Sequence, residues 1–162
     1  PDVVGQLVIR GATVMRGYWG KPEATARKLK PGPLPGEQVL YTGDYCRMDA
    51  EGYLYFVGRS DEIIKSRGEK IAPKEVENVL MDIAGVREAA VIGVPDELLG
   101  QAVKAFVVIE QDITLSEKQL QKECQQRLES FMVPKCIVIV PSLPRTNTEK
   151  LNKRALHESI SE

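Results

Sequence analysis

Gly58-Arg59-Ser60-Asp61-Glu62-Ile63-Ile64-Lys65-Ser66-Arg67-Gly68-Glu69-Lys70-Ile71-Ala72-Pro73-Lys74-Glu75-Val76-Glu77 marks the point at which the pattern of this chain changes. Ile63-Ile64-Lys65 and Glu69-Lys70-Ile71 flank Ser66-Arg67-Gly68, which predicts a short hairpin with glycine at the bend, where positive φ carries no Cβ penalty. Immediately after it, Pro73 suits a first helical turn, and Val76, Val79, Leu80 and Ile83 recur at helical spacing. Gly85 is expected to end that helix. The chain thus separates near Gly58-Arg59 into a first region, 1–59, rich in strands and turns, and a second, 60–162, that alternates strand and helix periods.

Working outward, Leu7-Val8-Ile9 and Tyr53-Leu54-Tyr55-Phe56-Val57 have the β-branched and aromatic character of strands. Asp49-Ala50-Glu51-Gly52 reads as the turn into the second of them, and the proline-rich run 31–36 as an irregular surface loop. Downstream, Ala89-Ala90-Val91-Ile92 and Ala105-Phe106-Val107-Val108-Ile109 are near-continuous apolar runs, as in strands covered on both faces or by helices. Ser116 with Gln119 forms a capping-box pattern, and Leu120, Cys124 and Leu128 line one face of the helix behind it. Ile137-Val138-Ile139-Val140 predicts a further strand, and Asn152 a cap for a last helix through Leu156 and Ile160. Phe131-Met132-Val133-Pro134 reads as packing that leads into that strand. Strands interleaved with amphipathic helices predict an α+β domain.

Composition narrows the function. With 43% hydrophobic and 28% charged residues over 162 positions, the chain has the make-up of a globular protein. A formal charge of −1 gives no global field for nucleic acid or an acidic membrane. No apolar run is long enough to span a bilayer, and the start lacks a signal-peptide pattern. The opening Pro1-Asp2-Val3-Val4-Gly5 has no methionine and leads straight into a strand, which reads as a piece of a longer polypeptide. Cys46, Cys124 and Cys136 show no paired metal spacing, so no metal ligands are expected, and reduced thiols in the cytoplasm are. His157 stands alone in a surface helix with no role assigned to it.

Several residues could carry chemistry. In Tyr41-Thr42-Gly43-Asp44 the Asp44 carboxylate can accept two hydrogen bonds from a ribose diol, with Gly43 allowing close approach; turn chemistry alone also explains the tripeptide. Arg59 offers a fork of donors for phosphate or ribose oxygens, or an interdomain salt bridge with a nearby carboxylate. Asp61 reads as a turn residue, and Lys65, Arg67, Glu69 and Lys70 as the solvated face of a hairpin. Pro144 and the polar Thr146-Asn147-Thr148 predict a flexible loop that carries Lys150 at its tip.

Taken in order, Tyr41-Thr42-Gly43-Asp44, the stretch 58–77 and Pro144-Arg145-Thr146-Asn147-Thr148-Glu149-Lys150 resemble the carboxyl-terminal third of the adenylate-forming enzymes. That superfamily comprises acyl-CoA synthetases, peptide-synthetase adenylation domains and beetle luciferases. The resemblance implies a mobile C-terminal lid domain, a small sheet flanked by helices, over 60–162, preceded over 1–59 by a β-rich end of the N-terminal domain's barrel subdomain. It implies that Asp44 and Arg59 contact ATP or AMP and that Asp61 is the hinge. The hinge would rotate the lid between adenylation and thioester formation. Gly68 would let the backbone pass a pantetheine arm, Lys65 would be a cofactor-binding residue matching a lysine that luciferase-like members use in their second, oxidative step, and Lys150 would stabilise the charge of the adenylation transition state. The implied cofactors are ATP, Mg2+ bound through ATP, and coenzyme A or phosphopantetheine. The implied partners are the N-terminal adenylation domain, a carboxylic acid, and CoA or a carrier protein. Where the family usually places glycine before that lysine, this chain has Glu149. No Ser/Thr/Gly-rich phosphate loop, adenine-cupping segment or acid pocket has a counterpart here, so the chain by itself is expected to be inactive. Ile63-Ile64-Lys65 and Lys70-Ile71-Ala72-Pro73 resemble acyl-CoA or fatty-acid ligases more than carrier-loading adenylation domains, the alternative. A non-catalytic carrier-docking module is the reading of a different class.

Overall fold

The structure, a computed structural model, describes residues 3–158. It divides into two compact units, Pro1–Asp61 and Glu62–Glu162.

The first unit is organised around its longest strand. Its elements are β1 (Val4–Ile9), α1 (Pro22–Lys28), β2 (Leu29–Pro31), β3 (Gln38–Met48) and β4 (Leu54–Arg59). β3 pairs antiparallel with β1 along one edge, while β2 and then β4 share the other, Leu29 opposite Leu40 and Asp44 opposite Arg59. The expected turn after β3 is built by Asp49, whose Oδ1 accepts from the N–H groups of Glu51 and Tyr53 and whose Oδ2 accepts from the Tyr55 hydroxyl. Desolvation pushes this carboxyl up, but those bonds outweigh it and hold Asp49 below the usual carboxylate range. The proline-rich run forms the expected loop after β2, closed by the Gly32 N–H donating to the Glu37 carbonyl. α1 was not legible as a helix: none of its residues is buried, so it has no apolar stripe, only proline in its first turn and basic residues in its last. Leu29 and Val39 are the buried apolar side chains of this unit among the described residues, while Val4, Val8, Leu54, Tyr55 and Phe56 are exposed.

The second unit comprises β5 (Ile64–Ser66), β6 (Glu69–Ile71), α2 (Pro73–Met81), β7 (Val86–Asp96), β8 (Gly100–Ile109), α3 (Glu117–Arg127), β9 (Cys136–Ile139) and α4 (Lys153–Glu158). Its sheet runs β6-β5-β8-β7, with β9 parallel to β8. The near-continuous apolar runs have the expected cause: both faces of β7 and β8 are covered. Val91, Val103, Ala105 and Val107 pack with Val76 and Leu80 of α2 and Leu120 and Cys124 of α3. Ala90, Ile92, Phe106 and Val108 pack with Leu143 and with Leu156 of α4. Ser116 and Gln119 form the expected reciprocal capping box. The Asn152 side chain accepts from the Ala155 N–H at 3.2 Å, capping α4 as expected; Ile160 lies outside the described residues.

Several boundaries differ from the sequence reading: Leu128, read on the face of α3, is its extended C-cap, and β4 runs Leu54–Arg59 where 53–57 was expected. α2 stops at Met81, short of Gly85, because the Ile83 and Val86 N–H groups turn back to the carbonyls of Leu80 and Ile83. Gly85, at φ 91, serves that turn, where an added Cβ would come within 2.7 Å of Ile113. β9 begins at Cys136 and ends before Val140, whose N–H still donates to Val107. The α+β class stands. Among the described residues no helix is long and apolar enough to cross a membrane.

Candidate functional site

In the first unit the sequence Thr42-Gly43-Asp44 interrupts the β1–β3 ladder, whose register shifts between Gln6 and Val8. The Thr42 hydroxyl closes the irregularity, donating to the Leu7 carbonyl at 3.0 Å and accepting from the Asp44 N–H at 3.0 Å. Gly43 takes φ 88 there, and its carbonyl accepts from the Ser60 N–H at 2.7 Å. This geometry places Asp44 opposite Arg59, whose Nη1 reaches Asp44 Oδ1 at 3.0 Å. The same guanidinium reaches Asp61 Oδ1 through Nε at 3.2 Å. Hydrogen bonding and charge from Asp61, then charge from Asp44, raise the Arg59 pKa despite partial desolvation. At Asp61 desolvation is the largest influence and pushes the carboxyl up, but the bond and charge of Arg59, a backbone bond and the charge of Lys28 together outweigh it and hold the group low.

The structure therefore brings Asp44, Arg59 and Asp61 together on one corner, and the salt bridge considered for Arg59 exists, within the first unit. Lys28 completes the corner and has no signal in the sequence. It projects from the end of α1 and donates to the Thr42 carbonyl at 3.0 Å, with Nζ 2.9 Å from where a Gly43 Cβ would stand. Two cations, two carboxylates and a Cβ-free backbone make a surface suited to a polyhydroxylated, anionic ligand.

In the second unit β5 and β6 form the expected hairpin, Ser66 facing Glu69 across a two-residue turn. Arg67 and Gly68 occupy that turn at φ 54 and 85, the positive pair that a type I′ turn requires. Space beside Gly68 is open, since an added Cβ would meet nothing within 4 Å. Lys65 is exposed on β5, with its N–H donating to the Gln101 side chain at 2.7 Å. Next to the hairpin lies a cleft of about 280 Å³ lined by Ser66, Arg67, Asp96, Leu98, Phe131 and Lys135, among others. Lys135 pairs with Asp96 at 2.5 Å, and that bond, with the Leu99 N–H, holds the Asp96 carboxyl below its ordinary range.

Lys150 is exposed on the segment between β9 and α4. That segment, read from its composition as flexible, is closed by hydrogen bonds. The Thr146 N–H donates to the Lys150 carbonyl at 2.7 Å, its hydroxyl accepts from the Lys150 N–H at 3.2 Å, and Arg145 bridges to Leu151 as a β-pair. Glu149 stands at φ 61. The residue that departs from the family's glycine thus occupies the left-handed backbone that glycine adopts freely.

Lys153, likewise unread in the sequence, sits behind this loop at 2.8 Å from Glu77 and 2.9 Å from Glu62. Glu77 is buried and also accepts from the Val91 N–H at 3.0 Å. Desolvation lowers the Lys153 pKa, but the two carboxylates outweigh it and raise it overall. The network anchors the start of α4 to α2 and to β7.

Residues 75–150 match the family described as AMP-binding enzyme, C-terminal domain. The chain is 39% identical over 158 residues to the long-chain-fatty-acid–CoA ligase of Escherichia coli O157:H7, covering 98% of this chain and 27% of that protein. It is 38% identical over 160 residues to the 2-succinylbenzoate–CoA ligase of Geobacillus kaustophilus (strain HTA426), covering 99% of this chain and 31% of that one. Among solved structures, ATP-bound MatB from Rhodopseudomonas palustris superposes with a TM-score of 0.91 at 31% identity, covering 100% of this chain and 31% of that one. The chain spans less than a third of the length of each of these relatives.

Proposed function

Residues 75–150 of this chain belong to the AMP-binding enzyme C-terminal domain family, and from that premise we propose that the chain is the C-terminal part of an AMP-forming acid–thiol ligase. In the first half-reaction a substrate carboxylate attacks the α-phosphorus of ATP and pyrophosphate leaves. In the second, the thiol sulfur of coenzyme A attacks the acyl carbon, its proton is lost, and AMP leaves. An N-terminal adenylation domain outside this chain supplies the rest of the site and covers the exposed apolar strands of the first unit. On its own the chain is inactive.

Asp44 accepts the ribose hydroxyls and Arg59 contacts the nucleotide, exchanging one of its carboxylate partners for the ligand. Asp61, the residue at which the two units meet in sequence, is the hinge about which the lid turns between half-reactions. Gly68 lets the hairpin backbone pass the pantetheine arm, with Lys65 beside it. The Arg67 and Lys135 cations lining the adjoining cleft suit the phosphates of CoA, which favours CoA over a carrier protein as acceptor. Mg2+ enters with the triphosphate. We propose a cytoplasmic location, a reading supported by the free Cys46, Cys124 and Cys136.

Lys150 is assigned to adenylation. What supports it most is its presentation: an exposed cation on a loop whose backbone is held by hydrogen bonds, so its side chain leaves from a fixed point. As negative charge moves onto the α-phosphate and pyrophosphate, a preorganised cation lowers the barrier. The test is acid-dependent ATP–pyrophosphate exchange by the intact parent polypeptide, wild type beside Lys150→Ala. A fall of about a hundredfold or more is expected; an unchanged rate rejects the lysine assignment.

A further inference from the structure

We propose that Glu88 and Arg145 are positioning residues for Lys150, a role that rests on the reading of Lys150 as the adenylation lysine. Arg145 Nη1 donates to the Glu149 carbonyl at 3.0 Å, and its Nη2 reaches Glu88 Oε2 at 2.6 Å. The Glu149 carbonyl and the Lys150 N–H belong to one planar peptide unit. Arg145 holds the oxygen end of that plane, and the Thr146 hydroxyl accepts from the nitrogen end at 3.2 Å. A plane held at both ends cannot rotate, and its orientation sets the direction in which the Lys150 side chain leaves the backbone.

The restraint answers a local need. Glu149 at φ 61 occupies a conformation that a residue with a Cβ adopts reluctantly, so without outside bonds the loop relaxes towards other backbone states. Glu88 is the fixed end of the clamp. It lies on β7 opposite Val108 of β8, and it draws on a residue 57 positions away. A planar guanidinium bonded to a carboxylate through one nitrogen and to a carbonyl through the next has little angular freedom left. Arg87 also approaches Glu88, at 3.7 Å from Oε1, and so leaves Oε2 to Arg145. Neither Glu88 nor Arg145 is assigned any contact with substrate; both act through the Glu149–Lys150 peptide.

The experiment uses the intact parent polypeptide and follows acid-dependent ATP–pyrophosphate exchange, with thermal unfolding recorded for every variant. Glu88→Gln keeps shape and an accepting oxygen but loses the charge; Arg145→Lys keeps the charge but loses the fork. Each is expected to lower kcat by about threefold to tenfold, with the KM for ATP little changed, as befits a half-exposed charge-assisted bond. In a Lys150→Ala background the same substitutions should add no further loss, because the group they position is gone. An equal proportional loss in both backgrounds would mean that the clamp acts independently of Lys150, and overturns the proposal. If Lys150→Ala is impaired while Glu88→Gln and Arg145→Lys run at the wild-type rate, the proposal fails and the ligase reading stands. If Lys150→Ala itself is unimpaired, that reading of the lysine fails first and takes this one with it. Should Glu88→Gln not fold, Arg145→Lys decides the matter by the same comparison.

Discussion

At Gly68 and Gly43 the same atom, an added Cβ, has different consequences, and the difference separates backbone strain from site chemistry. Gly68 at φ 85 has open space beside it, so Gly68→Ala pays only for the left-handed backbone, about 1–2 kcal/mol. Gly43→Ala pays a similar backbone cost and also drives its Cβ against Lys28 Nζ, displacing the cation from the Thr42 carbonyl. Urea unfolding should therefore rank Gly43→Ala as the more damaging, and a reversed order would mean that the Lys28 contact is unimportant. Gly68 was legible because glycine in a turn between strand-like residues has few other uses, whereas Gly43, read through turn chemistry, lies inside β3 beside a shift of register. The left-handed Glu149 was not legible, since nothing in Thr146-Asn147-Thr148-Glu149 marks which residue turns. Lys28 was hidden for a related reason: it reaches the corner from a helix with no buried face.

Among the elements, α2, α3 and the β7–β8 pair announced themselves by apolar spacing or by a capping box, and the structure gives them buried faces to match. α4 was expected from Asn152, but what holds it was not. Glu62 and Lys153 stand 91 positions apart, and no local pattern predicts an ion pair of that reach. Lys153→Met would strand the Glu77 carboxylate, 6% exposed, without its cation. The expected cost at neutral pH is about 3 kcal/mol, since an uncompensated buried charge is worse than none. Because the folded pKa of Lys153 is raised, its contribution is complete below the unfolded value of 10.5 and is lost as pH rises through the higher folded value. Chemical unfolding of the wild type and of Lys153→Met should thus differ by a constant amount from neutral pH up to 10.5 and converge as the pH rises through the folded value. Curves that stay parallel into strong alkali would show that the carboxylates do not act through this lysine.

On the scale of the whole chain the two units are unequally built. The second has a sheet covered on both faces, whereas in the first Leu29 and Val39 are the buried apolar side chains among the described residues. Amide hydrogen exchange should show it: β1 to β4 are expected to exchange at least about a hundredfold faster than β7 and β8. Equal protection would mean that the sparse first unit is stabilised by something other than its own core. The α+β class was legible because strand and helix periods differ so plainly. The sharing of one β3 edge by β2 and β4 was not, because strand composition says nothing about which edge a partner takes.

The central position of β8 also dictates an order of events as the second unit assembles. Its pairing with β7 needs only the three-residue turn between Asp96 and Gly100, where the Asp96 carboxylate accepts from the Leu98 and Leu99 N–H groups. That hairpin can close within about 1–10 μs, before any distant segment has been recruited. β9, by contrast, joins β8 in parallel and must wait for the whole α3 crossover to be laid over the sheet. The loop that carries Lys150 follows β9 in the chain, and its ordering is expected after that of the β7–β8 hairpin.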